Sequence, residues 1–497
     1  MEYRTNFQSV TEHRPEGLDG YATVYTTWQI SLQAIKAQNT EAAQLLLLYG
    51  FLSNNVSDEI ILHGEERQTA GVNDAAQLKV SIRLLLSYSL VKRDGIRHTV
   101  WIHPVVHTWT CQHLTLAEKV QQTEHAVSVV AKCIEWNSQG HSLENKLAFS
   151  TLMLPDVEAC MKNIMDYLHG RPDLNHKSWD ALMIIRSFLD GRGLYRQSIV
   201  LGTMLKNEHE KWHGLKHPDT LSSMNNLALS YSAQGKYSDA EPLYKEVLAG
   251  RQKALRQDHP DTLLSMNNLA SLYCDQGKYG EADTLYKETL AGCQKALRQH
   301  HPHTLLAMNN LACLYQDQRK YSKAEPLFKE ALAGYQISLG QDHSYTLHSI
   351  NNLASLYRDQ GKYSEAETLC KEALAGLQKE FGQDHPGTLL SMNNLAVLYC
   401  HQGKYGEAET LYRKVLAGRQ KTLGQDHPHT FLSMNNLASS YCDQGKYSEA
   451  EPLYKKALAG SQKALGQDHP DTLLSLNNLA SLYHKQGKYS EAEHVGI

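Results

Sequence analysis

A chain of 497 residues has room for two to four domains of ordinary size, and its 41% hydrophobic content supports real cores. The formal charge of −4 and the lack of any polybasic block argue against nucleic acid and against an anionic membrane surface as partners. Nine cysteines without a Cys-x-x-Cys pair suit free thiols in a reducing compartment.

Met1 to Val10 holds no signal-type apolar core, and residues 1–20 read as a polar lead-in. Val24–Ile35 and Thr40–Leu52 are predicted as helices. The second contains the longest apolar run, Ala42–Leu52, which is broken by Gln44 and Gly50 and is too short to span a bilayer. The expectation is a soluble, cytoplasmic protein. Ala75–Tyr88 is a third predicted helix, with Leu78, Ile82, Leu85 and Leu86 at helical spacing. Leu90–Gly95 and Thr99–Ile102 read as two short strands joined by a turn at Asp94-Gly95. Pro104–Leu114 begins another helix. Helices followed by a small hairpin are the layout of a winged helix, placed at residues 21–115. Residues 116–174 read as a helical linker.

Four segments of this region carry a resemblance: Thr27-Trp28-Gln29-Ile30-Ser31, Ala42-Ala43-Gln44-Leu45-Leu46, Phe51-Leu52, and Ile102-His103-Pro104-Val105-Val106-His107-Thr108-Trp109. They are similar to the winged-helix end of fungal NB-ARC-type STAND ATPases, where such a segment follows the nucleotide core and precedes repeats. The resemblance implies that His103 senses nucleotide phosphate. That role needs an ATPase core with a Gly-Lys-Ser/Thr loop, and every Gly-Lys in this sequence is followed by Tyr. His103 is therefore expected to meet nucleotide only if such a core accompanies the chain.

From His217 onward the sequence repeats every 42 residues. His-Pro recurs at His217, His259, His301, His385, His427 and His469, with His343-Ser344 in the remaining copy. Asn-Asn pairs begin at Asn225, Asn267, Asn309, Asn351, Asn393, Asn435 and Asn477. Gly-Lys-Tyr keeps the same beat, with Arg319 in one glycine position. Within one unit, His259-Pro260-Asp261-Thr262 is a helix start, since proline suits the first helical position and an acid favours the positive end of the dipole. Leu263, Met266, Leu269, Ala270 and Tyr273 form an apolar stripe. Gly277 can take the left-handed conformation that ends the helix. A second helix is predicted from about Gly280 to Leu297, with Ala282, Leu285, Tyr286, Thr289 and Leu290 facing inward. A degenerate copy at 175–216, with Gly193 and Tyr195 in phase, is expected to cap the array. At the other end Glu491-Ala492-Glu493 is in register and His494–Ile497 is not. The last second helix is therefore expected to be missing, leaving an exposed apolar face on Thr472–His484 through which copies could associate.

Such helix pairs cannot bury their faces alone, but stacked neighbours can. The fold expected is all-α: a right-handed solenoid at 217–497, preceded by the small winged-helix-like domain and the linker. Leu269, Ala270, Tyr273, Gly277, Tyr279, Ala282 and Tyr286 fall on the small and large positions of the tetratricopeptide repeat (TPR), which this pattern resembles. The 42-residue period, Asn-Asn-Leu-Ala and Asp-His-Pro-x-Thr are similar to the kinesin light chain type over about Lys216 to Glu493. The resemblance implies a protein or peptide partner in a concave groove lined by the first helix of each pair.

The groove candidates are Asn225, Asn267, Asn309, Asn351, Asn393, Asn435 and Asn477, because an amide can both donate to and accept from an extended backbone. Replacing Asn309, Asn351 and Asn393 by Ala is expected to weaken binding with folding unchanged. The alternative for either Asn of a pair is a bond to the next repeat. Varying positions further along the helix include Leu229, Ser271, Cys313, Ser355 and Val397, then Gln316, Arg358, Cys400 and Cys442, which would discriminate partners. The histidines recur one repeat apart, too far to share a zinc, so they are read as helix caps, with no metal and no cofactor. No catalytic constellation stands out, and the chain is read as a non-enzyme. Two functions fit: the sensor or effector arm of a STAND-type receptor lacking its ATPase core, or a free-standing adaptor like the cargo-binding part of kinesin light chain.

Overall fold

The computed structural model describes residues 19–64, 74–95, 98–138, 143–168 and 176–496. The expected lead-in at 1–20 lies almost wholly outside them. Two compact units divide the chain: residues 1–140 with 149–185, and residues 186–497 with 141–148.

In the first unit the helices Asp19–Gln38, Thr40–Phe51, Asp58–Gly64, Asp74–Ser87 and Pro104–Gln112 accompany a small antiparallel sheet. Its strands are β1 (Asn55–Ser57), β2 (Val91–Asp94) and β3 (Thr99–Ile102), in the order β1-β3-β2. The expected hairpin is β2–β3, with Arg93 opposite Val100. Neither β1 nor Asp58–Gly64 is legible in the sequence, because Asn55-Val56-Ser57 is three residues flanked by polar ones. β1 nevertheless takes the central strand's other edge, with Val56 opposite Val100. Leu46, Phe51, Ile60, Ile82, Leu85, Ile102 and Trp109 make the core, and the Arg93 guanidinium pairs with Asp58 beside it. Leu116–Ser138 and Leu143–Asn163 follow, the latter running into one π turn at Ile164–Leu168.

The second unit is a stack of helix pairs. The degenerate copy supplies the helices His176–Gly191, within which the boundary between the units falls, and Tyr195–His213, with Gly193 between them at φ +69°. Seven further pairs follow. Their first helices are Pro218–Ala233, Pro260–Asp275, Pro302–Asp317, Ser344–Asp359, Pro386–His401, Pro428–Asp443 and Pro470–Lys485. Their second helices start at Tyr237, Tyr279, Tyr321, Tyr363, Tyr405, Tyr447 and Tyr489. The last one exists after all, as the two-turn helix Tyr489–Gly496, because Tyr489, Glu491 and Ala492 supply the same start as in the other copies. Leu473 and Leu474 on its partner are 46% and 43% exposed.

The repeated letters have repeated causes. In all seven copies the His side chain caps the first helix: Nδ1 accepts the N–H two residues on, at 3.2 Å from Asp261 N in the second repeat and 3.0 Å from Asp471 N in the seventh. In the first six copies the Thr three residues after the capping His donates back to the preceding loop, as Thr388 does to Gly382 O at 2.8 Å. Ala270 and Ala282 are fully buried, which lets the two helices close on each other while Tyr273 and Tyr286 fill the space beside them. A second small position went unread in the sequence: a Cβ on Gly292 would lie 2.5 Å from Leu263 Cδ2. The first-helix leucine needs that glycine.

Between repeats the lysine of Gly-Lys-Tyr reaches back. Lys278 Nζ lies 2.8 Å from Glu241 Oε2, and Gln276 Nε2 donates to the same oxygen at 3.1 Å. With Lys245, these bonds hold the Glu241 carboxyl down at about 2.

Candidate partner-binding groove

First helices of consecutive repeats touch directly, as Ser344–Asp359 does Pro386–His401, whereas second helices make no comparable contact. On a curved stack the closer-packed layer is the inner one, so the first helices line the concave side. Their outward stripe in the second repeat is Leu264, Asn267, Ser271, Cys274 and Asp275, at helical spacing and exposed or half-exposed. Leu264, Leu306 and Leu390 are 38%, 37% and 40% exposed at one equivalent position. At the other end of the helices stand Asp275 and Asp317. Among the described residues neither takes a hydrogen bond or ion pair. Partial burial, then the neighbouring carboxylate, raises both above the usual carboxylate range. Leu264 and Leu306 also line a shallow cavity with Asn267, His303 and Ala307.

The asparagine ladder is placed differently from the expectation. Asn225, Asn309, Asn351 and Asn435 are buried, and six of the seven first asparagines bond to the following repeat. Asn267 and Asn393 accept from the second asparagine of the next copy, Asn310 at 2.7 Å and Asn436 at 2.9 Å, and Asn225 from Asn268 at 3.1 Å. Asn309 and Asn351 accept from Ser349 and Ser391 at 3.5 and 3.1 Å, and Asn435 donates to Ser475 at 2.6 Å. Asn477 is exposed. The first asparagine is thus a joint between repeats, because the neighbouring first helix comes close enough to reach it. The second asparagine is half-exposed throughout. Asn351 Nδ2 and Asn435 Oδ1 remain without a partner among the described residues.

Gln316 and Arg358 come together. Gln316 Nε2 donates to Asp359 Oδ2 at 2.6 Å and Ser355 Oγ at 3.2 Å, and Arg358 Nη2 to Asp359 Oδ1 at 2.8 Å. Asp359 therefore spends its charge within the wall, unlike Asp275 and Asp317. The thiols of Cys274 and Cys313 are pushed up to about 11 and about 12 by burial, so they stay protonated and poorly nucleophilic. Among the described residues no three His, Cys, Asp or Glu side chains gather as a metal site, and no helix is long and apolar enough to cross a membrane. In the first unit His103 is exposed and caps Pro104–Gln112 by accepting from Val105 N at 3.2 Å.

A right-handed superhelix of stacked helix pairs with one continuous inner face defines a helical-repeat interaction scaffold. Residues 261–337, 345–421 and 429–496 match the tetratricopeptide-repeat family, as do 220–261 and 309–380. The chain belongs to that family. It is a scaffold for protein interaction, on a fold that is typically non-enzymatic. No curated protein matches it. Among solved structures it is similar to a protein of Podosopora anserina described as a kinesin light chain with nearly identical TPR-like repeats. The two are 33% identical, covering 41% of this chain and 98% of that one, with a TM-score of 0.35. It is also similar to a STAND protein with a TPR sensor from Pyrococcus horikoshii, at 14% identity over 98% of this chain and 65% of that one, TM-score 0.45. A third is a Rap protein complexed with competence and sporulation factor, at 13% identity over 75% and 99%, TM-score 0.43.

Proposed function

We propose that the inner face takes an extended segment of a protein partner, and that the chain is the sensor or effector arm of a STAND-type receptor. The observation behind the first part is the stripe itself. Most polar groups of the array are spent on caps and inter-repeat bonds, yet Leu264, Leu306, Leu390, Ser271, Asp275 and Asp317 are left facing outward from the first helices. An apolar edge and an unneutralised acidic edge flank the half-exposed second asparagines, whose amides can meet a backbone of any sequence. The second part rests on the region before the array, where helices, a small sheet and the Ile102–Trp109 segment accompany the TPR stack. His103 would face nucleotide only beside an ATPase core. Leu473 and Asn477, exposed in the seventh repeat where the equivalent Leu263 and Asn309 are buried, offer a surface for self-association. Nucleic acid and membrane are not proposed as partners, and the site of action is the cytoplasm.

Random peptides displayed on phage and selected on the whole chain test the groove. Selected peptides should lose at least about tenfold in affinity for a Ser271→Trp/Ser439→Trp double variant, since both serines are exposed on the inner stripe and an indole there blocks the path without entering a core. The array should stay folded by far-ultraviolet circular dichroism, with only a modest fall in thermal midpoint as the bonds of Ser271 and Ser439 to the buried Tyr286 and Tyr454 hydroxyls are lost. Affinity unchanged by both indoles would place the partner on another face.

A further inference from the structure

Two of the seven helix starts are in an environment the others do not share. His427 and Pro428 are buried, whereas Pro218, Pro260, Pro386 and Pro470 are exposed. The turn of the degenerate pair covers them: a Cβ on Gly193 would sit 2.8 Å from Pro428 Cδ and 3.1 Å from His427 Cδ2. One repeat later the contact recurs, with Gly235 facing His469 Cδ2 at 2.8 Å and Pro470 Cδ at 3.2 Å. Arg192 Nη1 donates to Thr422 O at 3.3 Å, and the ring Nε2 of His469 lies 3.4 Å from Ala233 O. Both contacts join positions 234 residues apart, between five and six repeats. Above the equivalent Gly277, Gly361, Gly403, Gly445 and Gly487 a Cβ would meet nothing within 4 Å. The superhelix has therefore wound through a full turn, and the rim of one turn rests on the next.

The groups at this contact tie it to a proton. His427 Nδ1 accepts the His429 N–H at 3.1 Å, so in the closed arrangement that nitrogen carries no hydrogen. Burial, and then His429, Arg192 and Arg419 around the ring, depress its pKa to about 3. Burial also lowers His469, against the opposing pull of Asp471 and the Ala233 carbonyl. We propose that this rim-to-rim contact is a proton-sensitive latch, which keeps the superhelix closed around its own inner face near neutral pH and releases on acidification. The proposal deepens the groove reading and rests on it for its purpose, since opening the turns widens the way in for a partner.

The sign follows from linkage. A histidine freed from the contact regains solvent and leaves Arg192 behind, so its value rises toward the ordinary 6.5, whereas the latched one stays neutral down to about 3. Below 6.5 the open form binds more protons, so closure is fully stable above that pH and weakens as pH falls toward 3. From His427 alone the open-to-closed ratio should rise by at most about thirtyfold between pH 7.5 and pH 5, and His469 adds in the same direction.

Small-angle X-ray scattering of the full chain at pH 7.5 and 5.0, with far-ultraviolet circular dichroism in parallel, reads the latch without any partner. The radius of gyration should grow at pH 5.0 while helix content holds. His427→Asn keeps a capping side chain but cannot take the proton, and should remove most of that growth. At pH 7.5 Gly235→Val should expand the particle, whereas Gly277→Val, equally strained at φ +73° but facing open space, should not. An unchanged radius, growth retained in full by His427→Asn, growth that only tracks lost helix, or equal expansion in the two valine variants would each overturn the latch. None of these results bears on whether selected peptides respect the indole block, so the groove reading stands or falls separately.

Discussion

At the scale of single residues the array shows which letters of the repeat are replaceable. Arg319 occupies the turn that glycine holds in the other copies, at φ +57°. Its turn still closes in the same way, with Arg319 N on Gln316 O at 2.8 Å and Lys320 N on Tyr315 O at 2.7 Å. A side chain in left-handed backbone costs on the order of 1 kcal/mol or more, part of which glycine returns through its larger unfolded-state entropy. Arg319→Gly should therefore stabilise the chain by about 0.5–1 kcal/mol, read as a higher urea midpoint; a lower midpoint would mean that the arginine side chain makes a compensating contact. The histidines were legible at this scale as caps, because a His-Pro start recurring every 42 residues leaves neighbouring rings a repeat apart. That two of them would also carry a contact between turns was not legible.

At the scale of the helix pair, the expected boundaries and the observed ones differ by about one residue, as for the second helix that begins at Tyr279 rather than Gly280. Proline, acid and glycine punctuate each helix locally, so the sequence suffices. The asparagine pair is different. Its period announced a ladder, but which amide met a neighbour depended on how closely consecutive first helices pack. With Asn309 buried and accepting from Ser349 at 3.5 Å, Asn309→Ala removes a bond at a joint rather than a free groove amide. It should lower the stability of the array by about 1–3 kcal/mol, the range for unpairing a buried polar group. The check is the urea midpoint together with the affinity of groove-selected peptides. Loss of affinity at full stability would restore the groove role for the first asparagine.

At the scale of the whole array, contacts run between neighbouring pairs apart from the rim contacts at His427 and His469, so stability accumulates largely repeat by repeat instead of residing in one core. The middle repeats, around Ser344–Thr422, are packed on both sides. The seventh has a second helix of only eight residues and two exposed leucines. Amide hydrogen exchange should therefore be slowest in the middle repeats and fastest in Pro470–Gly496, in steps that follow repeat boundaries. Uniform protection along the array would mean that it opens as a single cooperative unit.

The sequence by itself determined the repeat, its helix starts and stops, its small and large packing positions, and with them the family. Those features are set by interactions within about 42 residues, where spacing translates directly into geometry. Tertiary structure decided the rest: β1 in the first unit, the glycine that admits Leu263, the turning inward of the first asparagines, and the meeting of Gly193 with His427. Each depends on how far one element is rotated and advanced against another. That small angle accumulates over many repeats, and no single repeat's letters record it.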